Sequence, residues 1–158
     1  MAGQTSFVQT PPAGVEGMLS EQMLSSTVVR SYVVEDAAGL GAGRFVRNGT
    51  TIGTHCKALT ATDQTIIGVT VLNFAREPTS PRYPQKADVP VAKECTIWLT
   101  CVDDMRAVDN GPVYVCFSGA NAGLPQASAS GGDLALGVEV IVGGAAGAIG
   151  LFRINLPA

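Results

Sequence analysis

Apolar and polar positions alternate most clearly between Thr96 and Val102. Ile97, Leu99 and Cys101 fall on one face of an extended chain there, and Trp98, Thr100 and Val102 on the other. Both faces are largely apolar, which predicts a strand buried on two sides, in a sandwich, a barrel or a subunit contact. The run from Val113 to Phe117 repeats that character, with Tyr114 and Cys116 opposite Val113, Val115 and Phe117. Between the two runs, Asp109-Asn110-Gly111-Pro112 carries turn chemistry, since Asn and Gly tolerate positive φ and Pro cannot continue a ladder. Residues 93–117 are therefore expected to form two short strands joined by a compact turn region.

The same pattern places further strands on either side. Thr27 to Glu35 alternates, and Ile66 to Leu72 reads as buried on both faces, with Gly68 allowing a bulge or a close backbone approach. Asn48-Gly49 is the strongest hairpin signal, with flanking strands expected over Arg44 to Arg47 and Thr50 to Thr54. Val138 to Val142 and Ala148 to Leu156 form a closing hairpin around residues 143–147. Four prolines within 73–90 predict an exposed loop without regular structure, and residues 118–133 a polar Gly/Ser-rich loop. No helix longer than about three turns is indicated.

Residues 1–26 lack either period, and Pro11-Pro12 stiffens them. They are nevertheless more apolar than a freely solvated tail requires, through Phe7, Val8, Val15, Met18 and Leu19. The expected organisation is an extended N-terminal arm over 1–26 and a β-domain over 27–158. The fold class is all-β, a compact sandwich or barrel.

Composition agrees with that class. With 19 glycines, 9 prolines and 15% charged residues, the 158-residue chain suits short strands and turns better than a helical bundle. A net charge of −3, a pI near 5.0 and no basic run argue against a nucleic-acid surface. The tract from Val140 to Phe152 is too short and glycine-rich to span a bilayer, so no membrane partner is expected. Met1 to Thr10 lacks the charged start and apolar core of a secretory signal, so the mature chain is expected to begin at or near its first residue.

Candidate chemistry is sparse. Cys56, Cys95, Cys101 and Cys116 lack zinc-site spacing and are expected to be reduced core residues. His55 adjoins Cys56, but neighbours on a strand point to opposite faces, so they do not make a nucleophile–base pair. Asp103-Asp104, with Asp88 or Asp109, invites a hard-cation or acid–base reading, yet no calcium-loop spacing or partner base accompanies it. Turn capping is preferred. Glycines 39, 41 and 43 fit neither nucleotide-loop pattern and predict a bend. Neither a catalytic group, a metal nor a cofactor is expected.

The order of segments carries more than any one residue. An arm containing AGVEGM is followed by VVRSYVVED, GLGAGRFVRNG and IIGVTVLN, then by VPVAKECTIWL, AVDNGPVYV and LALGVEVIVGGAAGAIGLFRINL. From about Gly14 to Pro157 the chain resembles the capsid cement, or head decoration, proteins of tailed bacteriophages. The resemblance implies a β-tulip-like domain that sits as a homotrimer on the exterior of the virion head, binds the major capsid protein, and bridges neighbouring capsomers with extended arms. Such a protein is made in the host cytoplasm. On that reading Phe7, Val8, Val15, Met18 and Leu19 anchor the arm, and Trp98, Tyr114 and Phe117 fill the core or a trimer seam. Two alternatives stay open. One is a β-sandwich carbohydrate- or receptor-binding module of a virion that uses exposed aromatics such as Trp98. The other is a small trimeric β-enzyme of the dUTP-hydrolase type, whose motifs are not found in order.

Overall fold

The structure, a computed structural model, describes residues 14–20, 27–61, 64–73, 82–108 and 111–157. Its strands are, in order, β1 (Val28–Val34), β2 (Leu40–Gly41), β3 (Phe45–Asn48), β4 (His55–Ala58), β5 (Ile66–Thr70) and β6 (Arg82–Tyr83). They continue with β7 (Asp88–Thr100), β8 (Tyr114–Cys116), β9 (Pro125–Gln126), β10 (Gly132–Leu134), β11 (Val138–Val142) and β12 (Ile149–Asn155). The fold is all-β, as the alternation implies, and the sheet closes on itself. Hydrogen-bonded neighbours run β1-β4-β3-β5-β7, and β7 pairs again with β1, so five strands make a barrel. Beyond the ring, β12 and β11 extend the sheet.

Closure depends on the 13 residues of β7. On one edge its first half pairs with β1, from Asp88↔Val33 to Glu94↔Val28, and its second half with β12, from Glu94↔Asn155 to Thr100↔Ile149. Thr96, Ile97, Trp98 and Leu99 are all buried, which is the two-faced burial that their apolar character predicts. A side chain such as Ile97 or Leu99, taken wholly out of water, contributes about 1.5–3 kcal/mol before entropy is counted.

Two cores result. The first fills the barrel with Tyr32, Val34, Val46, Cys56, Val89 and Val91. The second lies where β7 and β12 leave the ring and includes Ile97, Leu99, Met105, Val115, Phe152 and Ile154. A separate three-stranded sheet, β10-β8-β9, contributes Val115 to it.

Several sequence expectations change. Residues 82–83 and 88–90 are strand and not loop: Tyr83 is buried in the small β2–β6 sheet, a turn follows over 84–87, and β7 already begins at Asp88 and runs through Pro90. Proline is tolerated there because the chain just after β5 uses only its carbonyl, which accepts from Val71 N–H at 2.9 Å. The strand near Val113 does not pair with β7 but with β9 and β10, which arise inside the segment expected to be loop. The Asn48-Gly49 hairpin exists, but residues 50–54 belong to its turn and the returning strand is His55–Ala58. Glu35 draws the chain round at that point, accepting from Thr50 N–H at 2.7 Å and from Thr50 Oγ1 at 3.0 Å. At Gly68 the expected close approach is present. A Cβ there would lie 2.5 Å from Val91 Cγ1, and the β3–β5 register shifts just after Val46↔Gly68.

Candidate interface surfaces

Residues 14–20 lie along the second edge of β7. Gly17 N–H donates to Trp98 O at 2.7 Å, Trp98 N–H to Met18 O at 3.0 Å, and Ser20 N–H to Thr96 O at 2.8 Å. Leu72 N–H in turn donates to Gly17 O at 2.7 Å, so the segment continues the edge that β5 starts. The glycines of the AGVEGM stretch have separate tasks. Gly14 lies against the Trp98 indole, leaving no room for a Cβ. Gly17 has φ of 79° and abuts Gly43, an approach and a conformation that L side chains resist.

Glu16 clips this segment down. Its Oε1 sits 3.9 Å from Arg44 Nε, an ion-pair distance without a hydrogen bond, while Arg44 Nη1 donates to Ala120 O at 3.0 Å and Ala122 O at 3.3 Å. Burial pushes the Glu16 carboxyl up, and Arg44 and a Thr100 hydrogen bond oppose it.

The residues named from sequence do not form one patch. Met18, Leu19 and Trp98 come together, with Leu19 bridging to Ile97 and packing on the second core. Val15 is 55% exposed beside them. Tyr114 and Phe117 stand on and after β8, half-buried, with Phe117 against the same core. Phe7 and Val8 lie outside the described residues, as do Asp109 and Asn110. Trp98 is 5% exposed, which leaves no face for stacking on a sugar and removes the platform that a carbohydrate-binding reading requires.

The acidic pair behaves as turn capping predicts. Asp103 accepts from Ala127 N–H at 2.7 Å and Ser128 N–H at 3.1 Å, pinning the β9 loop. Asp104 is held by Arg106, whose hydrogen bonds bring its carboxyl down to about 2. Among the described residues no cluster of three His, Cys, Asp or Glu is placed to hold a metal ion. All four cysteines are unpaired and buried, and burial pushes the Cys56 and Cys95 thiols up to about 12. His55 Nδ1 lies 2.9 Å from Thr54 Oγ1 and is not paired with the Cys56 thiol.

Sequence reasoning passed over a second surface. Val28, Ile52, Leu134 and Leu136 are 38%, 79%, 51% and 63% exposed, and all four line a groove of about 590 Å³ at one mouth of the barrel. Tyr32, Ile67 and Val91 are also in its lining. The available signal was local: a lone Ile in the Thr51–Thr54 turn, and the Leu134-Ala135-Leu136 alternation, which turns Ala135 inward and both leucines outward.

Comparison with known proteins spans nearly the whole chain. Residues 3–156 match the family model described as structural cement protein (E217 gp24/Pam3 gp6). A chain from the solved capsid of Myoviridae Phage XM1 shares the fold, with a TM-score of 0.69, 20% identity and 98% of each chain covered. Among curated proteins, none matches the chain.

Proposed function

Because this chain belongs to the structural cement protein family of bacteriophage capsids, we propose that it binds the outer surface of an assembled head as a homotrimer and stabilises the lattice by bridging neighbouring capsomers. The family is structural and not an enzyme family, and membership makes the chain a part of the virion with the capsid protein as partner. The observation that carries the finer reading is the extent of the match, which begins at residue 3 and so takes in the leading segment as well as the barrel.

The mechanism is mass action. A ligand that binds the closed lattice and not its separated parts shifts the equilibrium toward the lattice. Three tethered subunits then hold on at far higher effective concentration than one, even when each contact is of ordinary size. In this reading Phe7 and Val8 are the tip of the arm and reach a neighbouring capsomer. Val15, Met18 and Leu19 form its root over Trp98, and Tyr114 and Phe117 face the trimer seam. Synthesis in the host cytoplasm precedes addition to the head exterior.

The test pairs native mass with sedimentation on emptied heads. A trimeric mass and co-sedimentation with heads, but not with dispersed shell protein, are expected. Deletion of residues 1–13 is expected to leave the barrel folded, since residues 14–20 keep their hydrogen bonds to Trp98 and Thr96, and to abolish head occupancy. A monomer, or a deletion variant with undiminished occupancy, overturns the trimer or the arm respectively.

A further inference from the structure

The barrel mouth has the character of a docking groove, and three features define its occupant. The first is its exposed apolar rim of Val28, Ile52, Leu134 and Leu136. Apolar side chains gathered around one concavity, and not scattered singly, mark an interaction surface.

The second feature is an open backbone edge. Val33 N–H bonds Thr54 O at 2.8 Å, whereas Val34 N–H bonds Ala87 O at 3.0 Å, so the odd residues of β1 aim their backbone groups at the β4 side. Yet β1 meets β4 only at Val33 and Val34. Val29 and Ser31 therefore present N–H and C=O groups that have no strand partner among the described residues. Residues 28–31 are all exposed. Such an edge is a template for an added strand.

The third feature is charge. Arg30 and Lys93 both line the groove, and neither has an ion-pair or side-chain hydrogen-bond partner among the described residues. Asp133 also lines it but lies 4 Å or farther from either cation, with its Oδ2 shielded from solvent. The groove therefore offers two unspent positive charges to an incoming acid.

We infer that the barrel mouth receives an extended segment of the shell protein, apolar and bearing a carboxylate, which adds to the β1 edge at Val29 and Ser31 and sets its acid against Arg30 and Lys93. This rests on the cement reading above and names the contact through which it acts. The chain's own leading residues are the poorer match, because residues 1–13 contain neither Asp nor Glu to meet the two cations.

The experiment is co-sedimentation of the full chain with emptied heads at graded salt. Two variants accompany it, Ile52→Lys with Leu136→Lys, and Arg30→Glu with Lys93→Glu. These sites are solvent-exposed or half-exposed, so native melting is the check on folding. Each variant is expected to weaken head binding by about tenfold or more, and the wild-type affinity to fall with salt. A photoreactive benzoylphenylalanine in place of Ile52 is expected to cross-link to the shell protein on the head. Wild-type binding with both variants undiminished, or a cross-link only to a second copy of this chain, overturns the inference and leaves the cement reading standing. Failure of the wild type to bind heads overturns both.

Discussion

Gly14 lies directly against the indole of Trp98, with no space for a side chain between them. The contact joins the leading segment to the strand that closes the barrel, and it is rigid on the tryptophan side. Gly14→Ala is therefore expected to lift residues 14–20 from β7, at a cost of about 1–3 kcal/mol from overpacking. Trp98 is the only tryptophan, so its emission is a direct reading of the seat. A red shift and faster proteolysis before residue 27 are expected; an unchanged spectrum counts against the contact.

Gly68 and Val91 are a second tight pair, where β5 crosses close to β7. A Cβ at position 68 would also meet Ala92 O at 2.6 Å, and backbone cannot swing aside as a flexible side chain can. Gly68→Ala is expected to destabilise the domain by about 1–3 kcal/mol, and Gly68→Val by more. Denaturant melts compare the two; equal stability of both variants with wild type would show that the barrel wall relaxes freely.

Glu35 and Lys57 tie the end of β1 to β4 at 2.7 Å, where the two strands are in register over two residue pairs, Val33↔His55 and Val34↔Cys56. The Lys57 ammonium, with Thr50, draws the Glu35 carboxyl down from its ordinary 4.5 to about 2. A depressed folded value means that the carboxylate stabilises the fold above about 4.5 and loses that effect as pH falls toward 2. Glu35→Gln is thus expected to melt slightly below wild type at neutral pH, with the gap closing through that window. A gap that persists at pH 2 would assign the effect to shape and not to charge.

The cysteines are expected to be silent in the native state. With all four buried and the Cys56 and Cys95 thiols pushed up to about 12 by burial, thiol reagents at mildly alkaline pH should find almost nothing. Denaturation should release all four; fewer would reveal a disulfide.

Local pattern was enough for some of this architecture. Alternation around Ile97, Trp98 and Leu99 located a strand buried on both faces, and the glycine-rich tract 143–147 located the β11–β12 hairpin. Gly68 announced a close approach before its neighbour was known, because a strand interior keeps a glycine only where something presses on it. The family resemblance, read from the order of segments, also held. The sequence by itself thus determined the all-β class and most strand positions, since both follow from which side chains avoid water along a few consecutive residues, whereas the burial of Trp98 within this chain was decided by the structure.

Tertiary structure decided the pairing. Nothing near Pro90 reveals that its carbonyl alone is needed, nor does Val113 to Phe117 reveal that its partners lie at Pro125–Gln126 and Gly132–Leu134. The exposed rim could not be read because Val28, Ile52, Leu134 and Leu136 are each unremarkable in their own stretch of chain and become a surface only when the ring brings them to one mouth. Periodicity is a property of neighbours along the chain, whereas ring closure and a shared groove are set by contacts between residues far apart in it.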